Sequence, residues 1–184
     1  MKMDRRTALC LLAAGVLSRR LSQAQQHLHH LTKSPEKYRL QFFTHAEDAI
    51  VDRVAEMILP AGPRSGGAHD ARVSFFIDLV VANSPKAEQA KWRAALAGFR
   101  AAAQRRFGGE FTSLNQKQQA SLLDESAAKE PQPVEPPEVF FAEMKKLTIF
   151  AYYSSEIGLL KELGYKGNQV LSDYPGCMAP FRVG

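Results

Sequence analysis

The sequence predicts a single all-α domain of about five or six helices with a turn-rich C-terminal tail. Three observations predict it. Apolar residues recur at helical spacing through most of the chain from Thr44 onward. Capping residues open these runs and Gly or Pro closes them. No alternating apolar–polar run is long enough to build a sheet. A length of 184 residues suits one domain.

The first helix starts at Thr44. With Glu47 three residues on it makes a capping box, each side chain serving the other's free backbone N–H. Ile50, Val54, Met57 and Ile58 follow on one face, and Pro60 ends the run. The next stretch, Ala61-Gly62-Pro63-Arg64-Ser65-Gly66-Gly67, is glycine-rich. No strand precedes it and no Gly-Lys-Ser/Thr follows, so it reads as a turn rather than a phosphate cradle. A second helix is expected from about Asp70 to Ala82, with Val73, Phe76, Ile77, Val80 and Val81 on one face. Phe75 and Leu79 widen its apolar surface and predict a central position. Ser84-Pro85 sets a third N-terminus, with proline at the first helical position, where its missing N–H costs nothing. Trp92, Leu96, Phe99 and Ala103 mark that helix's inward stripe, and Gly108-Gly109 closes it. Arg100, Arg105 and Arg106 read as its solvated face. Asn115 with Gln118 caps a fourth, shorter helix bearing Ala120, Leu122 and Leu123. Residues 129–137, KEPQPVEPP, form a proline-rich internal linker. A fifth helix is expected from about Glu138, carrying Phe140, Phe141, Met144, Leu147 and Ala151. Its end, with Ile149, Phe150, Tyr152 and Tyr153, runs into Ser154-Ser155-Glu156-Ile157-Gly158. A second apolar run, residues 159–163, stops at Gly164.

The N-terminus divides from this domain by composition. Residues 1–24 have a basic start, an apolar core from Ala8 to Leu17 and a small-x-small site at Ser22-Gln23-Ala24, the parts of an export signal. The apolar core is too short to span the ~30 Å of bilayer hydrocarbon. Arg5-Arg6 just before a modestly hydrophobic run is the pattern of a twin-arginine signal; an ordinary secretory leader with an incidental pair is the plainer alternative. The twin-arginine route carries folded cargo, so this chain or something bound to it must fold first. Residues 25–43 read as a flexible polar arm, and 44–184 as the all-α domain. His27, His29 and His30 in the arm have no carboxylate or thiol nearby, so solvated histidines are expected rather than a metal site.

The charge balance follows the leader. The whole chain is formally +5 with pI ≈ 9.3. Removing residues 1–24 takes five of 24 bases (Lys2, Arg5, Arg6, Arg19, Arg20) and one of 19 acids (Asp4), leaving 19 and 18, a net charge of +1. Nucleic-acid binding thereby loses its main support. Of the two cysteines, Cys10 belongs to the leader and Cys177 remains alone. A lone thiol in an exported chain points to an intermolecular disulfide, or else to a buried, inert side chain.

No Gly-x-Ser-x-Gly elbow, Gly-x-Gly-x-x-Gly or His-Glu-x-x-His occurs. His45 and His69 sit at expected helix starts. Glu156, flanked by Ser154, Ser155 and two tyrosines, is the most suggestive acid, but it has no visible catalytic partner. Bonding of Ser155 and Glu156 to backbone groups at a helix junction is the simpler account. The chain is expected to do no chemistry by itself, with no catalytic, cofactor-binding or metal site of its own.

Three motifs in order, Tyr152-Tyr153-Ser154-Ser155-Glu156-Ile157-Gly158, Leu163-Gly164-Tyr165-Lys166-Gly167-Asn168 and Tyr174-Pro175-Gly176-Cys177, resemble the gluconate 2-dehydrogenase subunit 3 family. Leu59-Pro60 with Phe76-Ile77-Asp78-Leu79, and the twin-arginine leader, extend the likeness over about residues 44–178. The short region after Cys177 and the histidine-rich arm are departures from it. The resemblance implies a small subunit of a membrane-associated sugar, sugar-acid or polyol dehydrogenase in the periplasm. It implies a large flavoprotein partner of the glucose-methanol-choline (GMC) type that holds FAD, and in many complexes a multihaem cytochrome c. The large subunit would cross the membrane through the twin-arginine (Tat) translocon as a hitchhiker on this chain's leader. The expected partner interface comprises Tyr152, Tyr153, Ser155, Glu156, Tyr165, Tyr174 and Cys177, with Cys177 a candidate intersubunit disulfide. The alternatives are a free-standing periplasmic ligand- or metal-binding helical protein, and an enzyme using Glu156 as acid or base.

Overall fold

The computed structural model describes residues 38–167. Five α-helices occupy most of that span: α1 His45–Ile58, α2 Val73–Ala82, α3 Lys86–Phe107, α4 Gln116–Ala127 and α5 Pro136–Tyr153. A short 3₁₀ turn, Phe111–Ser113, stands between α3 and α4, and a π-helical turn, Ile157–Glu162, follows α5. No strand occurs among the described residues. The all-α expectation holds.

The helix starts obey the capping chemistry read from the sequence. Thr44 and Glu47 exchange their side-chain bonds at α1, and Asn115 and Gln118 do the same at α4. Gly108 closes α3 in the left-handed conformation, φ 74°, that a side chain would resist. Three boundaries differ. Helix α2 begins at Val73 rather than Asp70, because residues 67–72 turn back on themselves and Arg72 is left-handed at φ 55°, which no helix propagates through. Pro85 stands one place outside α3, as its N-cap. Helix α5 begins at Pro136 rather than Glu138. The linker's last two prolines need no N–H in a first turn, and Glu138 reaches back to the backbone N–H groups of Val134 and Glu135.

The core is built around α5, which packs against α1, α2, α3, α4 and the π turn. Phe99 of α3, Phe111 of the 3₁₀ turn and Phe140 of α5 are fully buried, with ring centroids 5.0 Å (Phe99–Phe111) and 4.7 Å (Phe99–Phe140) apart. Leu122 and Leu123 are buried as expected; Ala120 is half-buried, and its neighbour Gln119 goes inside instead. Gln119 accepts from Arg53 Nε at 2.9 Å and donates to the Phe111 carbonyl at 2.9 Å, which satisfies its amide. The arginines expected on the solvated face of α3 are tied down in two cases. Arg100 pairs with Glu110 at 2.8 Å, and Arg106 pairs with Glu125 and donates to Ser121.

Residues 38–43, the described end of the expected arm, are held against α2. The carboxylate of Asp78, which is fully buried, accepts from the Tyr38 hydroxyl at 2.6 Å and from three backbone N–H groups: Gln41 at 2.7 Å, Phe42 at 3.0 Å and Phe43 at 2.7 Å. Arg93 braces the same segment from α3, its guanidinium 3.9 Å from the Phe42 ring centroid and 2.8 Å from Glu47.

Candidate functional site

The C-terminal segment closes on itself through a cluster of hydroxyls around one carboxylate. Ser154 ends α5, and Ser155, buried, turns the chain. Its hydroxyl donates to the Tyr152 carbonyl at 2.6 Å and accepts from the Gly158 N–H at 3.1 Å. Gly158 passes so close to α5 that a Cβ there would lie 2.2 Å from the Tyr152 carbonyl oxygen, so only glycine fits. The chain then winds in a wide turn, with the Leu163 N–H on the Gly158 carbonyl at 3.0 Å and the Tyr165 N–H on the Leu159 carbonyl at 3.1 Å.

This winding returns Glu162 to the tyrosines. Tyr152 is buried and its hydroxyl donates to Glu162, with the Gly66 carbonyl a second acceptor at 2.8 Å. Tyr153 donates to the other carboxylate oxygen at 3.2 Å. Ser65, from the glycine-rich loop after α1, lies 3.1 Å from both the Tyr152 hydroxyl and Glu162. Hydrogen bonds from Tyr152 first, then from Ser65 and Tyr153, hold the Glu162 carboxyl below the usual range. Burial, and then the Glu162 carboxylate, push both phenols up. The glycine-rich loop is thus more than a turn: it carries the N-terminal half of the fold to the C-terminal clasp.

The expected interface residues therefore occupy different environments. Tyr152 and Ser155 are buried, Tyr153 is half-buried, and Glu156 and Tyr165 are exposed. Ser155 bonds to backbone groups at the helix junction, whereas the Glu156 side chain faces solvent. Tyr174 and Cys177 lie outside the described residues, as do Arg5, Arg6 and the arm histidines. The clasp leaves an apolar surface beside it. Ile149, Phe150, Leu160, Leu163 and Tyr165 are between 41% and 60% exposed. Of the six large apolar side chains exposed among the described residues, these five lie in this segment, and Val134 alone lies elsewhere.

A second feature escaped the sequence reading. Asp48, Asp52, His69, Asp70, Arg72, Ser74 and Phe75 line an open cleft of about 400 Å³. His69 Nδ1 lies 2.7 Å from Asp52, and that bond and charge push the imidazole pKa up. Burial, reinforced by the charges of Asp52 and Asp78, pushes the Asp48 carboxyl up despite a bond from Ser74. The signal that could have found it is weak: Asp48 and Asp52 share a face of α1, but His69 comes from a loop whose path depends on Glu56 accepting from the N–H groups of Ala61 and His69. No group of three or more His, Cys, Asp or Glu side chains among the described residues is arranged to hold a metal.

Comparison with known families finds one model, described as gluconate 2-dehydrogenase subunit 3, that matches residues 45–170. That span takes in every described helix and the whole clasp. No curated protein and no solved structure matches the chain.

Proposed function

This chain belongs to the gluconate 2-dehydrogenase subunit 3 family, and from that premise we propose that it is the non-catalytic small subunit of a periplasmic, membrane-associated, FAD-dependent dehydrogenase acting on a sugar, sugar acid or polyol. The family match is the observation that carries the proposal. In this reading FAD sits in a GMC-type large subunit, which oxidises the substrate, and a multihaem cytochrome c is a further candidate partner. The small chain stabilises the flavoprotein and escorts it out of the cytoplasm, its Arg5-Arg6 leader addressing the pair to the twin-arginine translocon. Membrane association then comes through the complex: no helix among the described residues is long and apolar enough to cross a bilayer.

The structure supports an accessory role in one respect. A monomer that exposes five large apolar side chains within one short segment leaves a surface that gains from being covered. The C-terminal segment with Tyr153, Glu156 and Tyr165, continuing to Tyr174 and Cys177, is the region proposed to face the partner. Cys177 is proposed to form a disulfide with it.

The test is a tagged pull-down of the full chain from its native envelope without reductant. A co-eluting large subunit with a flavin absorbance spectrum is the expected result. A band that separates only on reduction, and is lost in Cys177→Ser, would establish the bridge. A colourless monomer would overturn the dehydrogenase reading in favour of a free-standing binding protein.

A further inference from the structure

We infer that the large subunit docks on the outward stripe of α5 and on the π turn, through Ile149, Phe150, Leu160 and Leu163, while the tyrosine cluster behind them serves as the frame that holds this surface in shape. The inference rests on the subunit reading above and assigns it a surface. Ile149, Phe150 and Tyr153 fall at helical spacing on the side of α5 opposite its buried residues Phe140, Met144 and Ala151. Tyr153 bonds Glu162, so the stripe leads directly onto the turn that carries Leu160 and Leu163. Phe150 is 48% exposed although one side of its ring meets Phe76 at 5.8 Å, so its position is fixed before any partner arrives. A pre-set aromatic anchor loses little side-chain freedom on binding.

Tyr152, by contrast, has no surface left to offer. It is 2% exposed and its hydroxyl is engaged by Glu162, Gly66 and Ser65. Its bonds fix the turn, and the turn presents the leucines.

Charge gives the chemistry of the occupant. Lys146 precedes Ile149 and Phe150 by one helical turn, and Lys161 and Lys166 flank the leucines. All three lysines are exposed, and none is ion-paired with a described residue. Two exposed acids stand between Tyr153 and Leu163; the Glu162 carboxylate is held by Tyr152, Tyr153 and Ser65, which leaves Glu156 as the acid the clasp does not engage. An apolar centre with a basic rim fits an apolar socket rimmed by Asp and Glu on the partner. Lysine suits a rim and is depleted from interface centres, which matches its placement.

The test uses the full chain co-expressed with the flavoprotein large subunit of the same host. Leu163→Asp, at a 60% exposed site, and Phe150→Asp are expected to lower retention of the large subunit by roughly ten-fold or more. Val134→Asp, at a 76% exposed site on the linker, is the control and is expected to retain it fully. Combined Lys146→Glu, Lys161→Glu and Lys166→Glu is expected to weaken retention and to reverse its dependence on salt. Circular dichroism of each variant separates loss of docking from loss of fold. Because Phe150 also meets Phe76, Leu163→Asp decides the matter if Phe150→Asp misfolds. Full retention by a folded Leu163→Asp chain overturns the docking face and leaves the subunit reading standing. Failure of the unaltered chain to retain the large subunit overturns both. Flotation of the chain with phosphatidylglycerol vesicles, lost in Leu163→Asp while subunit retention is unchanged, would reassign the face to a lipid surface.

Discussion

Replacing Asp78 with alanine would strand four donors at once, three of them backbone N–H groups at the entry to the fold. Bonds to an ionised acceptor contribute about 1.5–3 kcal/mol each, but solvent can reach part of this segment once it is released. A loss of about 3 kcal/mol is expected, seen as a fall in Tm of roughly 10 °C, together with new protease cleavage near Phe42 and Phe43. Asp78→Asn should cost less, since its amide keeps one acceptor. His69 supplies a test of a different kind. Its folded pKa is raised, mainly by the bond to Asp52, so the pair contributes stability that is full below about pH 6.5 and is lost as pH rises through the raised value. With the His69 side chain 69% exposed, the effect is small. Stability followed by thermal melts should decline gently above that pH, and Asp52→Asn should flatten the decline. Neither residue could be assigned its role from the sequence. Asp78 reads as an acid on an apolar helix, and its partners lie 35 to 40 residues away. His69 reads as a residue at a helix start, when the helix in fact begins four residues later.

At the scale of elements, local chemistry was legible and spatial partnership was not. The capping boxes, the Gly108 stop and the inward stripes of α1, α3 and α5 depend on residues within a few positions of one another, which a sequence displays directly. Pairings across the fold have no such trace. Gly98 is a clear case. In the middle of α3 it looks like a weak point, since glycine costs a helix about 1 kcal/mol against alanine. A Cβ at that position would lie 2.3 Å from the Cβ of Pro136 in the first turn of α5, so the missing side chain is what lets the two helices approach. Gly98→Ala is therefore expected to destabilise the protein by about 1–3 kcal/mol in urea unfolding, against the direction of helix propensity. The π turn was hidden for the same reason. Residues 159–163 show an apolar run and a glycine stop, but the winding is set by Ser155, by Gly158 against α5, and by Glu162 reaching tyrosines nine and ten residues back. The tyrosines drew attention as an interface. The hydroxyls of Tyr152 and Tyr153 form an internal frame, and the exposed surface beside it is made of Ile149, Phe150, Leu160, Leu163 and Tyr165.

For the whole molecule, one helix serves two purposes. Helix α5 packs against every other described helix and also carries the outward stripe assigned to the partner. A partner that binds only the folded form adds stability by mass action, about 2.7 kcal/mol at a hundred-fold excess over Kd. The small chain is thus expected to melt at a higher temperature in the presence of excess large subunit than alone. Leu163→Asp should abolish the increment while leaving the melt of the isolated chain nearly unchanged. The same central position of α5 has a consequence during synthesis. Helix α1 emerges first, with Ile50, Val51 and Val54 ready to be buried, yet α5, which helps cover it, ends at Tyr153. At about 5–20 residues per second, the roughly hundred residues between them take on the order of 5–20 s to make. For that interval the nascent chain carries an apolar helix without its final cover, which is the window in which a ribosome-side chaperone would find it.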